Sequence, residues 1–352
     1  MNTKLVYVLT CAPEAYYIEQ ALMAVFSARH HNPDAHIVLI VDDKTDALLV
    51  DKRAEILKFI SEKIVIPFED SSLNPMYRSR WIKTSVRQLI QGDFLFVDCD
   101  TICQHSLNHI DRFNCNVGAV LESHLNVQDF CTSLYDSANR ATSAIGLDIN
   151  KQNEYFSSGV LYVKDTPDTH RLYELWHQYW IESNSIGISI DQPSLAKANR
   201  DVEHIIRRLP DTYNCILFTR PPFTRQAHIL HITAYQNPSY LFTKRVLAFV
   251  KENGLNNQWL RQSVLMPCQT FLPFDYDMLH SSFTQRRIWC KEIAESARGY
   301  CKYIDPSFKD LPMNSTFKNT VVRCFTHHMY RLGATLWIIW CRLRLINKKK
   351  NI

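Results

Sequence analysis

The stretch Phe94-Leu95-Phe96-Val97-Asp98-Cys99-Asp100 is a run of four apolar residues that ends in two carboxylates one position apart. Opened two residues earlier by Gly92 and closed by charge, such an unalternating run reads as a central strand of a parallel sheet, covered on both faces. Ligands of open α/β sheets bind beyond the carboxyl ends of those strands. Side chains two positions apart in an extended segment point the same way, and where the chain turns at the strand end Asp98 and Asp100 can converge on one small volume. Two converging anions need a cation. A divalent metal held by oxygen ligands, with water or substrate phosphate in its remaining positions, meets that need. A D-x-D pair that merely caps a turn is the other reading, and the surrounding chain decides between them.

On the amino-terminal side, residues 77–91 read as a helix with Trp81, Ile82, Val86, Leu89 and Ile90 inward. Lys83 lies among them, and a helical lysine taken alone is expected in solvent. Earlier still, residues 4–10 form an apolar run. Ile18, Ala21, Leu22, Val25 and Phe26 then follow at helical spacing until Asn32-Pro33 breaks the pattern. Residues 36–41 make a second buried strand ending in Asp42-Asp43, Leu48 to Ile60 suggest another helix, and residues 64–68 a third short strand. Strands alternating with helices at this spacing predict βαβ crossovers and a doubly wound parallel sheet. The first strand-to-helix loop, Thr10-Cys11-Ala12-Pro13, holds no glycine, which excludes the dinucleotide fingerprint and the phosphate-binding P-loop.

On the carboxyl-terminal side, residues 116–121 read as a strand and 123–152 as an irregular polar segment with room for substrate loops. In Phe156-Ser157-Ser158-Gly159-Val160-Leu161 small polar residues and a glycine open an apolar strand, which lets a ligand approach the backbone. An aromatic-rich helix is expected over 170–180. Asp191 is placed to cap the helix that begins Gln192-Pro193. Residues 227–233 form a strand carrying His231, and a histidine there becomes a ligand only beside a metal.

The chain has 352 residues, 46% hydrophobic, with 8 Gly, 14 Pro and 11 Cys. That is a globular composition, with one large domain plus an appendage as the expected organisation. No Cys-x-x-Cys pair occurs, so reduced, mostly buried thiols are expected rather than a zinc site. The amino terminus lacks a long apolar core with a cleavage site, which predicts a cytoplasmic protein. Of the +5 net charge, residues 311–352 carry eight Lys or Arg and no acid, leaving 32 basic and 35 acidic groups in the body. A body of net charge −3 offers no nucleic-acid face.

Taken in order, these segments resemble the GT-A glycosyltransferases, most closely glycosyltransferase family 8, the group of glycogenin and bacterial lipopolysaccharide glycosyltransferases. The family's helical Lys before an apolar strand into D-x-D resembles Lys83 followed by residues 94–100. Its N-S-G strand opening resembles Ser157-Ser158-Gly159, its D-Q pair Asp191-Gln192, and its late metal-binding His resembles His231. The chain departs from the family with Ser157 for the usual Asn, and with Ala234 and Asn237 where a Gly and a Lys follow the His. The resemblance covers residues 4–240. It implies a Rossmann-like GT-A domain over 1–245 and leaves 246–352 as a mainly helical extension. It also implies transfer of a hexose from a nucleotide sugar, UDP-linked, to a glycan or lipid-linked saccharide, with retention. Asp98, Asp100 and His231 would hold Mn²⁺, or Mg²⁺ as second choice. Thr10 and Asp42 would lie near the nucleoside, Lys83 near the phosphates, Ser158 and Gly159 beside the donor, and Asp191 and Gln192 at the sugar.

Two rival classes are weighed. A haloacid-dehalogenase-like phosphatase also carries Asp-x-Asp after a strand, but it wants Thr or Val where Ile102 stands and a later acidic pair. A non-catalytic sugar-nucleotide-binding protein fits the altered residues after His231. In the tail, Leu336-Trp337-Ile338-Ile339-Trp340 lies among Arg323, Arg331, Arg342, Arg344 and Lys348-Lys349-Lys350. That core is too short to span a bilayer, which takes about 20 residues. It suits an interfacial helix on an anionic membrane at the cytoplasmic face, the other reading being a helix packed on the domain.

Overall fold

The computed structural model describes residues 1–70, 72–217, 223–232 and 240–267. Met1–Gln128 with Ser133–Pro273 make one compact unit, to which the site belongs. The other unit, Asp129–Thr132 with Phe274–Ile352, lies almost wholly outside the described residues, as does the basic tail.

Apolar runs become strands where the sequence places them. In chain order these are β1 (Lys4–Leu9), α1 (Tyr17–His31), β2 (Ile37–Asp42), α2 (Asp43–Asp46), β3 (Glu62–Ile66), α3 (Pro75–Thr84), α4 (Val86–Leu89), β4 (Phe94–Val97) and β5 (Thr101–Cys103). They continue with β6 (Val117–Leu121), α5 (Thr132–Ala144), β7 (Phe156–Val163), α6 (Pro167–Ser185), α7 (Gln192–Asp201), β8 (Ile206–Arg208), β9 (Cys215–Ile216), β10 (Ile229–His231), α8 (Lys244–Asn253) and α9 (Gln258–Leu265). The main sheet runs β3-β2-β1-β4-β7-β6-β8, and a small sheet runs β5-β10-β9. Alternation along β1 divides the core: Leu5, Tyr7 and Leu9 pack with Ile18, Leu22 and Val25 of α1. Val6 and Val8 pack on the other face with Ile82 of α3 and Leu172, Tyr173 and Trp176 of α6. Each such side chain, wholly buried, contributes about 1.5–3 kcal/mol.

The sheet is mixed rather than all parallel. β7 runs antiparallel to both β4 and β6, while the other pairings are parallel. This reversal matters for the site, because it sets the opening of β7 against the end of β4. Asp98 N–H donates to Gly159 O at 2.8 Å, so the small residues Ser157-Ser158-Gly159 border the Asp pair. The switch in strand order between β1 and β4 opens a crevice at their carboxyl ends.

Three of the expected segments also differ. Leu48 to Ile60 is no continuous helix, because Asp51 takes φ +49°, and only a short 3-10 turn, Arg53–Lys58, forms there. Within 123–152 stands α5, whose buried stripe of Ala138, Ala141 and Thr142 is too small and polar to read as a helix face. The helix expected over 77–91 breaks at Ser85. Thr84 and Ser85 hydroxyls donate back to the carbonyls of Arg80, Trp81 and Ile82, a bonding pattern that bends helices. Beyond the expected boundary at 245, Leu247, Val250, Leu260 and Val264 of α8 and α9 pack into the same core as α1.

Candidate metal centre

β4 ends at Val97 and the chain turns at once into β5, leaving Asp98 and Asp100 on the turn. β10 lies antiparallel to β5 with His231 opposite Thr101, and Ile232 N–H donates to Asp100 O at 2.9 Å. The pairing register therefore brings a residue 131 positions later beside the Asp pair. Ligand atoms of Asp98, Asp100 and His231 all lie within 4.8 Å of one another. His231 Nε2 is 3.1 Å from Asp100 Oδ1. Burial works against a charged imidazole, but Asp100 outweighs it and raises the His231 pKa. Asp100 is in turn lowered, its burial outweighed by His231. Asp98 is raised by burial, with Asp100 adding to the effect despite Lys83. Two carboxylates and one imidazole nitrogen form a donor set that fits Mn²⁺ and, less well for its nitrogen, Mg²⁺.

Gly159 has a specific reason to be glycine. A Cβ there would stand 2.3 Å from His231 Cε1 and 3.1 Å from Asp98 Oδ2. The close approach read from the sequence is thus, in this structure, the approach of His231.

Lys83 is not solvated. It is 2% exposed, and its Nζ donates to Asp98 Oδ1 at 3.1 Å and to Ser158 Oγ at 3.2 Å, with Asp191 Oδ2 at 3.3 Å. One turn earlier on α3, Arg80 Nε lies 3.1 Å from Asp191 Oδ1. Asp191 occupies the cap position of α7 as expected, but its side chain makes no capping bond. It faces the two cations instead. Burial would raise its pKa, yet Lys83 and Arg80 hold it well below the usual carboxylate range. The residue is placed by two indoles of α6: Trp176 donates to Asp191 O at 2.9 Å and Trp180 to Ser189 O at 3.1 Å.

Gln192 stands beside this cluster and spends both amide hydrogens, on Glu122 Oε2 at 2.7 Å and Phe156 O at 3.1 Å. Thr10 and Asp42 stand at the ends of β1 and β2, as expected, but no hydrogen bond or ion pair between described residues joins them to the Asp98 cluster. Thr10 donates to Pro75 O at 2.6 Å, and Asp42, wholly buried, accepts from Thr45 N–H and from Arg78.

Three residues of the site escape the sequence reading. Arg80 was legible, since it precedes Lys83 by one helical turn. Glu122 follows an apolar strand, the same signal that marks Asp98. Asn214, which accepts from His231 Nδ1 at 3.0 Å, carries no local signal. Ala234 and Asn237 lie outside the described residues. Cys11, Cys99, Cys103 and Cys115 carry free thiols, as expected.

The fold and site together define an α/β protein with a candidate metal centre at the carboxyl edge of its sheet. No protein-family model and no curated protein matches the chain. Solved structures similar to it include several glycosyltransferases. Mouse xyloside xylosyltransferase 1 is 15% identical over 66% of this chain and 98% of its own, with a TM-score of 0.43. The galactosyltransferase LgtC, in complex with donor and acceptor sugar analogues, is 14% identical over 74% of this chain and 96% of its own, with a TM-score of 0.47. The glycosyltransferase GlyE of Streptococcus pneumoniae is 15% identical over 78% of this chain and 66% of its own, with a TM-score of 0.44. These are distant likenesses, so the chemistry of the site rests on its own atoms.

Proposed function

We propose that the chain is a metal-dependent glycosyltransferase that moves a hexose from a UDP-linked sugar to a glycan or lipid-linked saccharide. The observation that carries this reading is the meeting of Asp98, Asp100 and His231 with the buried pair Lys83 and Asp191. One side of the site suits a cation on a diphosphate, and the other offers a fixed carboxylate to sugar hydroxyls.

Asp98, Asp100 and His231 would hold Mn²⁺. When bound, that ion would supply positive charge opposite the charge that develops on the leaving diphosphate. Lys83, packed over the Phe96 ring at 4.9 Å and tied to two carboxylates, adds a cation whose position is set before substrate arrives. Asp191, kept ionised by Lys83 and Arg80, accepts from donor hydroxyls. Gln192, with both hydrogens engaged, keeps Oε1 as an acceptor. Retention, the stereochemistry implied by family resemblance, would follow from front-face transfer, the acceptor hydroxyl passing its proton to the departing phosphate.

Incubating the chain with a panel of UDP-sugars and Mn²⁺, and reading release of UDP, tests the proposal. Hydrolysis of one sugar, lost in Asp98→Asn, supports it. Binding of UDP without turnover of any sugar would make the chain a sugar-nucleotide-binding protein. Hydrolysis of simple phosphate esters with no nucleotide requirement would make it a phosphatase.

The basic tail extends the proposal to a lipid-linked acceptor at the cytoplasmic face of an anionic membrane. Among the described residues no helix is long and apolar enough to cross a membrane. Sedimentation with anionic liposomes, compared between the full chain and one ending at residue 317, tests this part. Equal sedimentation of the two would remove it.

A further inference from the structure

A buried hydrogen-bonded chain runs from the opening of β7 to the imidazole of His231. Asn214, wholly buried, donates from Nδ2 to Ser157 Oγ at 3.2 Å and presents Oδ1 to His231 Nδ1 at 3.0 Å. Ser157 Oγ also accepts from Gly159 N–H at 3.4 Å, and its two lone pairs accommodate both donors. With Nδ2 on Ser157, the Asn214 amide turns Oδ1 towards the imidazole. Its backbone position is equally constrained: it follows the turn Asp211–Tyr213 and enters β9, which pairs with β10 so that Ile216 lies opposite His231.

A neutral imidazole carries one proton, and only the other nitrogen can donate a lone pair to a metal. An amide oxygen facing Nδ1 requires the proton to be there. Nε2 is then left as the free nitrogen, 3.1 Å from Asp100 and within the cluster completed by Asp98. Gly159, lacking a Cβ, leaves room for the same ring at its Cε1 edge, so two groups that are not themselves ligands border the His231 imidazole.

We propose that Asn214 is the positioning residue of this centre, holding His231 in the Nδ1-protonated tautomer so that Nε2 is ready to bind a divalent cation. The inference rests on the metal-dependent reading above. It gives Asn214 a role beyond filling space between β7 and β10, and the two roles separate by experiment. Asn214→Leu keeps the volume without the acceptor, Asn214→Ala removes both, and Asn214→Asp keeps an oxygen facing Nδ1.

Mn²⁺ binding to each full-length chain is measured directly from the electron paramagnetic resonance signal of the unbound ion, with no substrate present. Leu and Ala should weaken binding by about 10–100-fold, the usual effect of removing a partner of a ligating histidine, while Asp stays within about threefold of wild type. Folded Leu and Ala chains that bind as tightly as wild type would overturn the inference, as would failure of Asp alongside them. Should the variants not fold, nitrogen-15 histidine spectra of the metal-free wild type, followed through an alkaline pH series until the ring is neutral, decide. An Nδ1-protonated His231 supports the inference and an Nε2-protonated one overturns it. A wild-type chain that binds no Mn²⁺ would instead overturn the metal reading, and the inference with it.

Discussion

Gly159 and His231 lie so close that a methyl group on Gly159 would stand 2.3 Å from His231 Cε1 and 2.8 Å from its Nδ1. Gly159→Ala should therefore push the ring away from Asp100. Overpacking of this kind costs about 1–3 kcal/mol. The expected result is a folded chain with a lowered urea midpoint and weakened Mn²⁺ binding, read by calorimetric titration. Unchanged metal affinity would show that the ring can yield without leaving its place.

Asp98→Asn and Asp100→Asn each remove one formal charge from the candidate metal centre with little change in volume. UDP-sugar hydrolysis should fall at least about a hundredfold in each, the scale of removing one transition-state charge contact. Circular dichroism should remain that of wild type. Near-wild-type turnover by either purified variant in the presence of EDTA would sink the metal-dependent mechanism.

Lys83 neutralises two carboxylates from a position 2% exposed, so Lys83→Met should destabilise the fold by about 3–5 kcal/mol, the cost of leaving a buried charge uncompensated. Asp191 keeps Arg80 at 3.1 Å, which places the effect towards the lower end. Adding Asp191→Asn to Lys83→Met should recover part of the loss, because the stranded carboxylate is then gone. Chemical denaturation of the three variants measures the coupling, and strict additivity would mean that the two groups do not interact.

Asp191 also predicts a pH dependence. Its carboxyl is held well below its ordinary value by Lys83 and Arg80, against the opposing effect of burial. A depressed carboxylate contributes stability that is fully present above its unfolded pKa of about 3.9 and is lost as pH falls towards the folded value. The stability difference between wild type and Asp191→Asn should accordingly be level from about pH 7 to 5 and shrink below about pH 4. Urea unfolding across that range checks it, and a difference that widened in acid would contradict the assignment.

Much of the architecture was legible because hydrophobic periodicity is a local property of the chain. The runs at β1, β2, β4 and β7 announce strands buried on both faces, and the Asp pair announces a site at a strand end. The family pattern added Lys83, Asp191 and His231 to that pair, and the structure brings all of them together. Misreadings arose where a local signal was weak or contradicted. The alanine and threonine stripe of α5 is one case, and the positive φ at Asp51 inside an apparent helix is another.

By itself the sequence determined that this is an α/β protein with two carboxylates at the end of a central strand and a set of candidate partners spread over residues 10–231. Only the tertiary structure decided where those partners lie. The antiparallel course of β7 puts Ser158 and Gly159 beside Asp98. The pairing of β5 with β10 delivers His231 to Asp100, and burial turns Lys83 from an expected surface group into the hub of the site. Strand direction, register and burial depend on contacts between residues far apart in the chain, and no window of sequence contains them. Asn214 is the clearest example. Nothing in its neighbourhood marks it, and its meaning comes from the imidazole that folding places 3.0 Å away.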